Sequence, residues 1–425
     1  MSPNESSAGN DSVPAAQPAR TTPSRGTVGW GGKIVIALGV LFVVVGGVLV
    51  TTSMWPIDPA SVSQDFPARV KRNPAAPVAA ACGLTEQRTG DGCVPARPDA
   101  VREEEVSFPS RLTERGIEKL VGTLSLPQGL DGPRPGVVLI HGSGPNTRDS
   151  PSPGDLILKL DPPFPVLQAL ANVLSQQGLV VLRYDKRSCA KCYPGAKLDA
   201  AGFSFEHFEI DARDAVAYLR TRSEVDPRAI VIAGHSQGGQ YAPFVAHQDS
   251  GVAAVIMLAG TTQTFEQGLI GQLRRLEEIR WGQLDPLGAL QIAGQRRKFQ
   301  RCFDKLRGDY DPQEQCLGGG VTLRALAEYQ EYAAKTVARI GALRCPLLAL
   351  FGSVDRNIDP AVADEVERAL EGKPGEVHVI AGMAHSLTNA VRPSTPTELD
   401  PGLVEALTTF LRAVRVRPAP PGDAG

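Results

Sequence analysis

The nine residues Val231-Ile232-Ala233-Gly234-His235-Ser236-Gln237-Gly238-Gly239 limit this chain to few folds. A short apolar run ends in a small residue, a serine and paired glycines, and a helix-like stretch follows. A strand that turns sharply into a helix forces the serine side chain outward and brings backbone close on both sides. Only glycine or another small residue tolerates that approach, which accounts for Gly234 and Gly238 on either side of Ser236. A serine exposed at such a bend is a candidate nucleophile, and its hydroxyl becomes reactive only when a base reaches it.

Partners of the right type follow in the chain. Leu347-Leu348-Ala349-Leu350-Phe351-Gly352 reads as a buried strand with Asp355 just beyond it; Asp359, a turn later, is the rival acid. Val377-His378-Val379-Ile380 reads as a shorter strand, and His385 follows. An imidazole near neutral pKa can take the serine proton, and a carboxylate fixes its tautomer and stabilises the imidazolium. The other five histidines have quieter places: His141 and His235 in loop and bend, His207 and His247 in helices, His378 in a strand.

Pro135-Gly136-Val137-Val138-Leu139-Ile140 reads as a further strand, opening into His141-Gly142-Ser143-Gly144-Pro145. Acyl transfer builds negative charge on the carbonyl oxygen, and each preorganised N–H aimed at it contributes roughly 2.7–4 kcal/mol. Gln237, directly after the nucleophile, supplies one such N–H. Ser143 is expected to supply the other, with Gly142 as the close alternative.

These segments resemble the α/β-hydrolase superfamily. The likeness is greatest to bacterial serine hydrolases related to dienelactone hydrolases and to acyl-peptide or lysophospholipase-like esterases. It is carried by His141-Gly142-Ser143-Gly144-Pro145 with Arg148-Asp149, Leu182-Arg183-Tyr184-Asp185-Lys186-Arg187, Gly234-His235-Ser236-Gln237-Gly238-Gly239, Asp355 and His385, and covers about residues 100–415. One departure is visible. Relatives continue the Tyr-Asp-Lys-Arg segment with a glycine-rich turn, whereas Ser188-Cys189-Ala190-Lys191-Cys192 follows here. Arg148 and Asp149 are expected to order the loop after residue 140, and Asp185 and Arg187 to form an ion pair beneath the site.

The organisation along the chain agrees with an α/β architecture, a mostly parallel sheet with helices on both faces. β-rich runs at 137–140, 179–184, 229–233, 252–258, 347–351 and 376–380 alternate with helical patterns near 165–177, 206–222, 238–248, 360–371 and 402–414. Unbroken apolar strands separated by helices imply burial on both faces. Ligands bind such sheets at the carboxyl ends of the strands, where Ser236, Asp355, His385 and the His141 loop all fall. The polar, helix-patterned stretch 262–342 interrupts the alternation and is expected to form a helical cap, leaving 101–261 and 343–416 as the hydrolase domain. Residues 417–425 form a Pro-rich tail.

The N-terminus addresses location. Residues 1–33 are rich in Ser, Pro, Ala and Gly, a composition of disorder. The 24 residues from Ile34 to Ile57 carry no charge. As a helix they span roughly 36 Å, against about 30 Å of hydrocarbon. A transmembrane anchor over 34–55 is the expectation, and a cleaved signal peptide releasing a secreted protein is its rival. Arg20, Arg25 and Lys33 before the span favour a cytoplasmic N-terminus and an extracytoplasmic catalytic domain. Residues 56–100, with repeated prolines, read as an extended stalk holding a small cysteine loop. Six of the seven cysteines fall into close pairs, Cys82 with Cys93, Cys189 with Cys192 and Cys302 with Cys316, as suits disulfides in an oxidising compartment. Cys345 is left over and is expected to be buried at the start of a strand. For Cys189 and Cys192 a redox pair is the alternative reading.

A net charge of −2 and the lack of a basic stripe argue against nucleic acid as a partner. No phosphate-binding glycine loop or metal-ligand spacing is present, so no cofactor is expected. The sequence therefore predicts a membrane-anchored serine hydrolase acting on small or lipid-like esters through Ser236, Asp355 and His385. The alternatives are a peptidase or acyltransferase on the same residues, or a binding module without activity.

Overall fold

The computed structural model describes residues 67–73, 82–89, 92–113, 116–152, 164–196, 204–316, 321–359, 361–389 and 398–415. The leader at 1–33, the span expected at 34–55 and the tail at 417–425 lie outside them. Among the described residues no helix is long and apolar enough to cross a membrane.

The strands are β1 (Arg69–Asn73), β2 (Glu86–Thr89), β3 (Gly92–Pro95), β4 (Ala100–Pro109), β5 (Lys119–Gln128), β6 (Arg134–Ile140), β7 (Pro151–Ser152), β8 (Phe164–Pro165), β9 (Val180–Tyr184), β10 (Val225–His235), β11 (Val252–Leu258), β12 (Leu347–Gly352) and β13 (Gly375–Ile380). The helices are α1 (Val166–Ser175), α2 (Glu206–Arg220), α3 (Gln237–His247), α4 (Phe265–Gly282), α5 (Pro286–Lys305), α6 (Leu323–Ala334), α7 (Thr336–Gly341), α8 (Ala361–Ala369) and α9 (Pro401–Ala413). Nine strands form one sheet in the order β1-β13-β12-β11-β10-β6-β9-β5-β4. From β13 to β9 neighbours run parallel; β1 at one edge and β5 and β4 at the other are antiparallel.

The two-residue side-chain period of a strand sorts the sheet into two cores. Val137, Leu139, Val231 and Ala233 point to the face covered by Leu167, Leu170 and Leu174 of α1 and Leu403, Leu407 and Phe410 of α9. Val138, Ile140, Ile230 and Ile232 point to the opposite face, covered by Ala212 and Val216 of α2, Tyr241 and Val245 of α3 and Val362 and Val366 of α8. Burial on both faces is why these strands read as continuous apolar runs. From β6 the chain passes to β9 on one side and then crosses to β10 on the other. The strand order therefore reverses between β6 and β10, where an open α/β sheet leaves a crevice at its carboxyl edge.

A third cluster lies in the insertion. Leu269, Leu273 and Leu276 of α4 pack with Ile292, Phe299 and Phe303 of α5 and with Leu326 and Tyr329 of α6. The α4 start is fixed by a reciprocal cap, in which Thr264 Oγ1 accepts from Gln267 N–H and Gln267 Oε1 accepts from Thr264 N–H. A Cys302–Cys316 disulfide ties the end of α5 to the segment beside the isolated Gln315–Thr322 bridge before α6.

Several expectations need correction. The stalk reading of 56–100 fails where the chain is described. Residues 69–73 are an edge strand paired with β13, and Arg69 reaches Glu367 at 3.0 Å. The β2–β3 hairpin, closed by Cys82–Cys93, packs on α9: Leu84 N–H donates to Leu411 O, and Leu84 is buried in the α1–α9 core. Backbone pairing needs no apolar pattern, so an Arg-Val-Lys-Arg-Asn edge strand resembles linker in the sequence. The boundary at 342 is also too late, because Ile340 of α7 belongs to the core beneath α3 and α8. Asp185 and Arg187 do not pair with each other. Asp185 accepts from Arg148, and Arg187 is paired with Asp211. Cys345 is half-buried rather than buried. The pairing of Cys189 with Cys192, by contrast, is as expected, a disulfide.

Candidate active site

At the end of β10 the backbone makes the bend that the glycines permit. Ser236 has φ 56° and ψ −121°, a conformation costly for any residue with a side chain and held here by its surroundings. A Cβ at Gly234 would lie 2.0 Å from Gly238 O, and one at Gly238 would lie 2.2 Å from Ile140 O. Ser236 N–H donates to Leu258 O at 2.9 Å, fixing the bend to the next strand.

Three residues far apart in sequence meet there. His385 Nε2 lies 3.0 Å from Ser236 Oγ, and His385 Nδ1 lies 2.8 Å from Asp355 Oδ2. Asp355 Oδ1 accepts from the N–H groups of Asn357 (2.7 Å) and Ile358 (3.1 Å). Burial pushes the Asp355 pKa up, but the adjacent imidazole and these hydrogen bonds outweigh it and hold the carboxyl below its ordinary value. His385 is fully buried and Ser236 is 8% exposed. Asp359, the rival acid, accepts instead from Arg275 and from its own loop at Ala361 N–H. His235 sits behind the site with Nε2 2.8 Å from His385 O. Burial, with His385 nearby, drives its pKa down to about 3, so it stays neutral and donates to that carbonyl.

The loop after β6 closes one side. A Cβ at Gly142 would lie 3.1 Å from Ser236 Cβ, so a side chain there would occupy the approach to the serine. Gly142 O accepts from Lys186 Nζ at 2.7 Å and from Asn146 Nδ2 at 3.1 Å. Arg148 N–H and guanidinium bind Asp185, and Asp149 accepts from Arg183, so the loop is tied to β9 and the residues after it. Ser143 and Gln237 line one cavity with Ser236. Gln237 opens α3, so its N–H has no acceptor within the helix. The arrangement can pass a proton from hydroxyl to imidazole and offer N–H groups to a nascent anion beside it.

Two contributors are not singled out by sequence reasoning. Lys186 is buried, with Nζ also 3.3 Å from Gln237 Oε1 and 4.5 Å from the Phe208 ring centre. Burial lowers its pKa to about 7, against the pull of Asp211. Its signal was a lysine two residues after the buried end of β9. Tyr329 of α6 accepts from Gln237 Nε2 (3.0 Å), donates to Gln240 Oε1 (2.8 Å) and stacks on Phe205. Nothing local distinguishes it from a core tyrosine.

A family model described as serine aminopeptidase, S33, matches residues 165–391. The match includes Ser236, Asp355 and His385 and begins after the Gly142–Ser143 loop. Esterase EstD of Thermotoga maritima is 28% identical over 285 residues, covering 66% of this chain and 61% of the relative, so the chain spans less than two thirds of that esterase. Among solved structures, the acylaminoacyl peptidase of Pyrococcus horikoshii is similar with a TM-score of 0.47 at 15% identity, covering 76% of this chain and 43% of that one. The dienelactone hydrolase-like promiscuous phosphotriesterase P91, from metagenomic libraries, gives 0.41 at 15%, covering 73% and 96%. With the family match extending over more than half of its 425 residues, the chain belongs to the serine aminopeptidase S33 family, a family of serine hydrolases.

Proposed function

We propose that the protein hydrolyses carboxylic esters through an acyl-enzyme on Ser236. Its Oγ attacks the acyl carbon while His385 Nε2 takes the proton, and Asp355 holds the imidazole and stabilises its positive charge. The N–H groups of Gln237 and Ser143 hold the oxyanion. His385 then protonates the leaving alcohol, and water repeats the sequence in reverse to release the acid. The observation that carries this reading is the unbroken relay of 3.0 Å and 2.8 Å from serine through imidazole to carboxylate. Ser143 is favoured over Gly142 as second donor by peptide geometry. In a trans peptide the C=O and the following N–H point in opposite directions. With Gly142 O turned to Lys186, the Ser143 N–H faces away from it.

The family description raises a second reading, an aminopeptidase. Such an enzyme must bind a substrate ammonium, which calls for a carboxylate beside the nucleophile. The described residues lining the cavity, Ser143, Gln237, Thr261, Gln263, Thr264, Phe265, Gln272, Tyr329 and Asn357 among them, include no acidic side chain. A neutral ester fits that lining better. The uncharged stretch at 34–57 and three disulfides support a single-pass anchor with the catalytic domain in the cell envelope.

Ser236→Ala should lower ester hydrolysis by at least about 10⁴-fold. A fluorophosphonate probe should label the wild type at Ser236 alone. Full turnover by Ser236→Ala, or labelling elsewhere, would overturn the assignment.

A further inference from the structure

The cavity above Ser236 has a volume of about 430 Å³ including its open side. Phe265 and Leu269 of α4 and Ile358 give it an apolar strip. Beside this strip, Gln272 of α4 meets Asn357 of the Asp355 loop. Gln272 Nε2 donates to Asn357 O at 2.7 Å. Its Oε1 has no hydrogen-bond partner among the described residues, and neither has Nδ2 or Oδ1 of Asn357. The two residues are only 7% and 3% exposed.

A buried polar atom left unpaired costs about 1–3 kcal/mol. Seven side-chain atoms are in this state among the described residues, and three of them belong to this one pair in the wall of one cavity. Isolated orphans scattered through a core have no common remedy. Three on two neighbouring residues that line a cavity over a nucleophile can share one, a ligand group that both donates and accepts. The chemistry narrows that group. Gln272 Oε1 and Asn357 Oδ1 accept, Asn357 Nδ2 donates, and no charged side chain lines the cavity among the described residues. An ionised substrate group would be desolvated there without a counter-charge.

We propose that Gln272 and Asn357 form a specificity subsite for esters bearing a neutral donor–acceptor group, a carboxamide or hydroxyl, separated by a short apolar spacer from the reacting carbonyl. The proposal rests on Ser236 being the nucleophile. It also places the subsite next to the relay, because Asn357 N–H donates to Asp355 Oδ1 and both Gln272 and Arg275 of α4 donate to Asn357 O. A substrate group bound to the Asn357 carboxamide therefore presses on the loop that holds the acid.

The test uses two matched ester pairs with the full-length protein. On the acyl side, p-nitrophenyl N-acetylglycinate is compared with its alkyl isostere, p-nitrophenyl 4-methylpentanoate, after correction for spontaneous hydrolysis. On the alcohol side, 2,3-dihydroxypropyl butanoate is compared with 2-methylbutyl butanoate. A site built to hydrogen-bond its substrate discriminates against the analogue lacking the group. The wild type should favour the polar member of at least one pair by about tenfold or more in kcat/KM. Asn357→Leu should move that ratio about tenfold towards the alkyl member, whatever its effect on absolute rates. Preference for the alkyl member in both pairs would overturn the subsite, and that comparison needs only the wild type. An unchanged ratio in a folded Asn357→Leu protein would overturn it as well. Fluorophosphonate labelling separates the two levels. Labelling at Ser236 without polar preference sinks the subsite alone, whereas a wild type unlabelled at Ser236 sinks the nucleophile reading and the subsite with it.

Discussion

Ser236 is enclosed by two regions built on different physics. Beneath it, the carboxyl ends of β6, β10, β12 and β13 place the reacting groups through backbone geometry, with a positive φ at Ser236, glycines at 234 and 238 in near contact with neighbouring main chain and Gly142 against the Ser236 side chain. Above it, α4 and α6 are tied to the site through side chains: Tyr329 on Gln237, Gln272 and Arg275 on the Asn357 carbonyl. Backbone constraints accept few residue types, and a side-chain contact can be rebuilt in many ways. The lower region should therefore be intolerant of change and common to esters of every kind, and the upper region tolerant and selective.

The largest expected effect breaks the lower region. Gly238→Ala puts a methyl 2.2 Å from Ile140 O and 2.7 Å from His141 O, both backbone atoms that cannot yield without opening the β6–α3 junction. Overpacking of this kind costs about 1–3 kcal/mol and more where backbone must move. The variant should lose nearly all hydrolysis of every ester and unfold at least about 3 kcal/mol more easily in urea. Near-normal activity would show that the bend has more room than the contact distances allow.

Next in size is Lys186→Met, which replaces a backbone restraint by an apolar side chain of similar length. Without the ammonium, Gly142 O keeps only the Asn146 donor, and the peptide that aims the Ser143 N–H is less firmly held. The expectation is a fall in kcat of about 10–100-fold with KM little moved, since the loss falls on transition-state charge. The same variant carries a pH signature. In the native protein burial brings the Lys186 pKa from 10.5 down to about 7. Between those values the unfolded chain holds more protons than the native one, so this residue makes wild-type stability rise with pH across that window. Below about pH 7 both states hold the proton and the cost of burying the charge is constant. The wild type should therefore gain stability relative to Lys186→Met by about 1.4 kcal/mol per pH unit within the window. Urea unfolding at pH 6, 7.5 and 9 measures it, and parallel profiles would contradict it.

The same contrast explains what could be read in advance. The bend at Ser236, the order of Asp355 and His385 after it, and the buried parallel strands were legible because sterics and burial leave few residue types at those places. The edge strands were not. β4 carries Arg102, Glu103, Glu104 and Glu105 in succession, and β1 is Arg-Val-Lys-Arg-Asn; both are held by main-chain pairing that charged residues satisfy as well as apolar ones. Ion pairing was misread because Asp185 and Arg187 are close in sequence, whereas Arg148 and Asp211 are brought to them only by the fold. Lys186, Gln272, Tyr329 and Asn357 belong to common residue types in unremarkable positions, and they gain a role only where α4, α6 and the Asp355 loop converge.

The smallest expected effect tests tolerance in the upper region with a second glycine. Gly268 lies in the first turns of α4 and lines the same cavity as Ser143 and Ser236, yet a Cβ added there meets nothing within 4 Å. Its backbone is helical, so the residue costs about 0.5–1 kcal/mol of stability relative to alanine. Gly268→Ala should accordingly unfold about 0.5–1 kcal/mol less easily, the opposite sign from Gly238→Ala. Extending the side chain in Gly268→Leu sharpens the point, because it grows into the cavity beside Phe265 and Leu269 and shortens the space left for substrate. Bulky esters should lose about three- to tenfold in kcat/KM relative to acetate esters, a loss of the size that one or two displaced methylenes bring in an apolar pocket. If both glycines proved equally intolerant, the division between a backbone-built floor and a side-chain-built upper wall would fail, because the space above Ser236 would then be as rigidly specified as the bend that carries it.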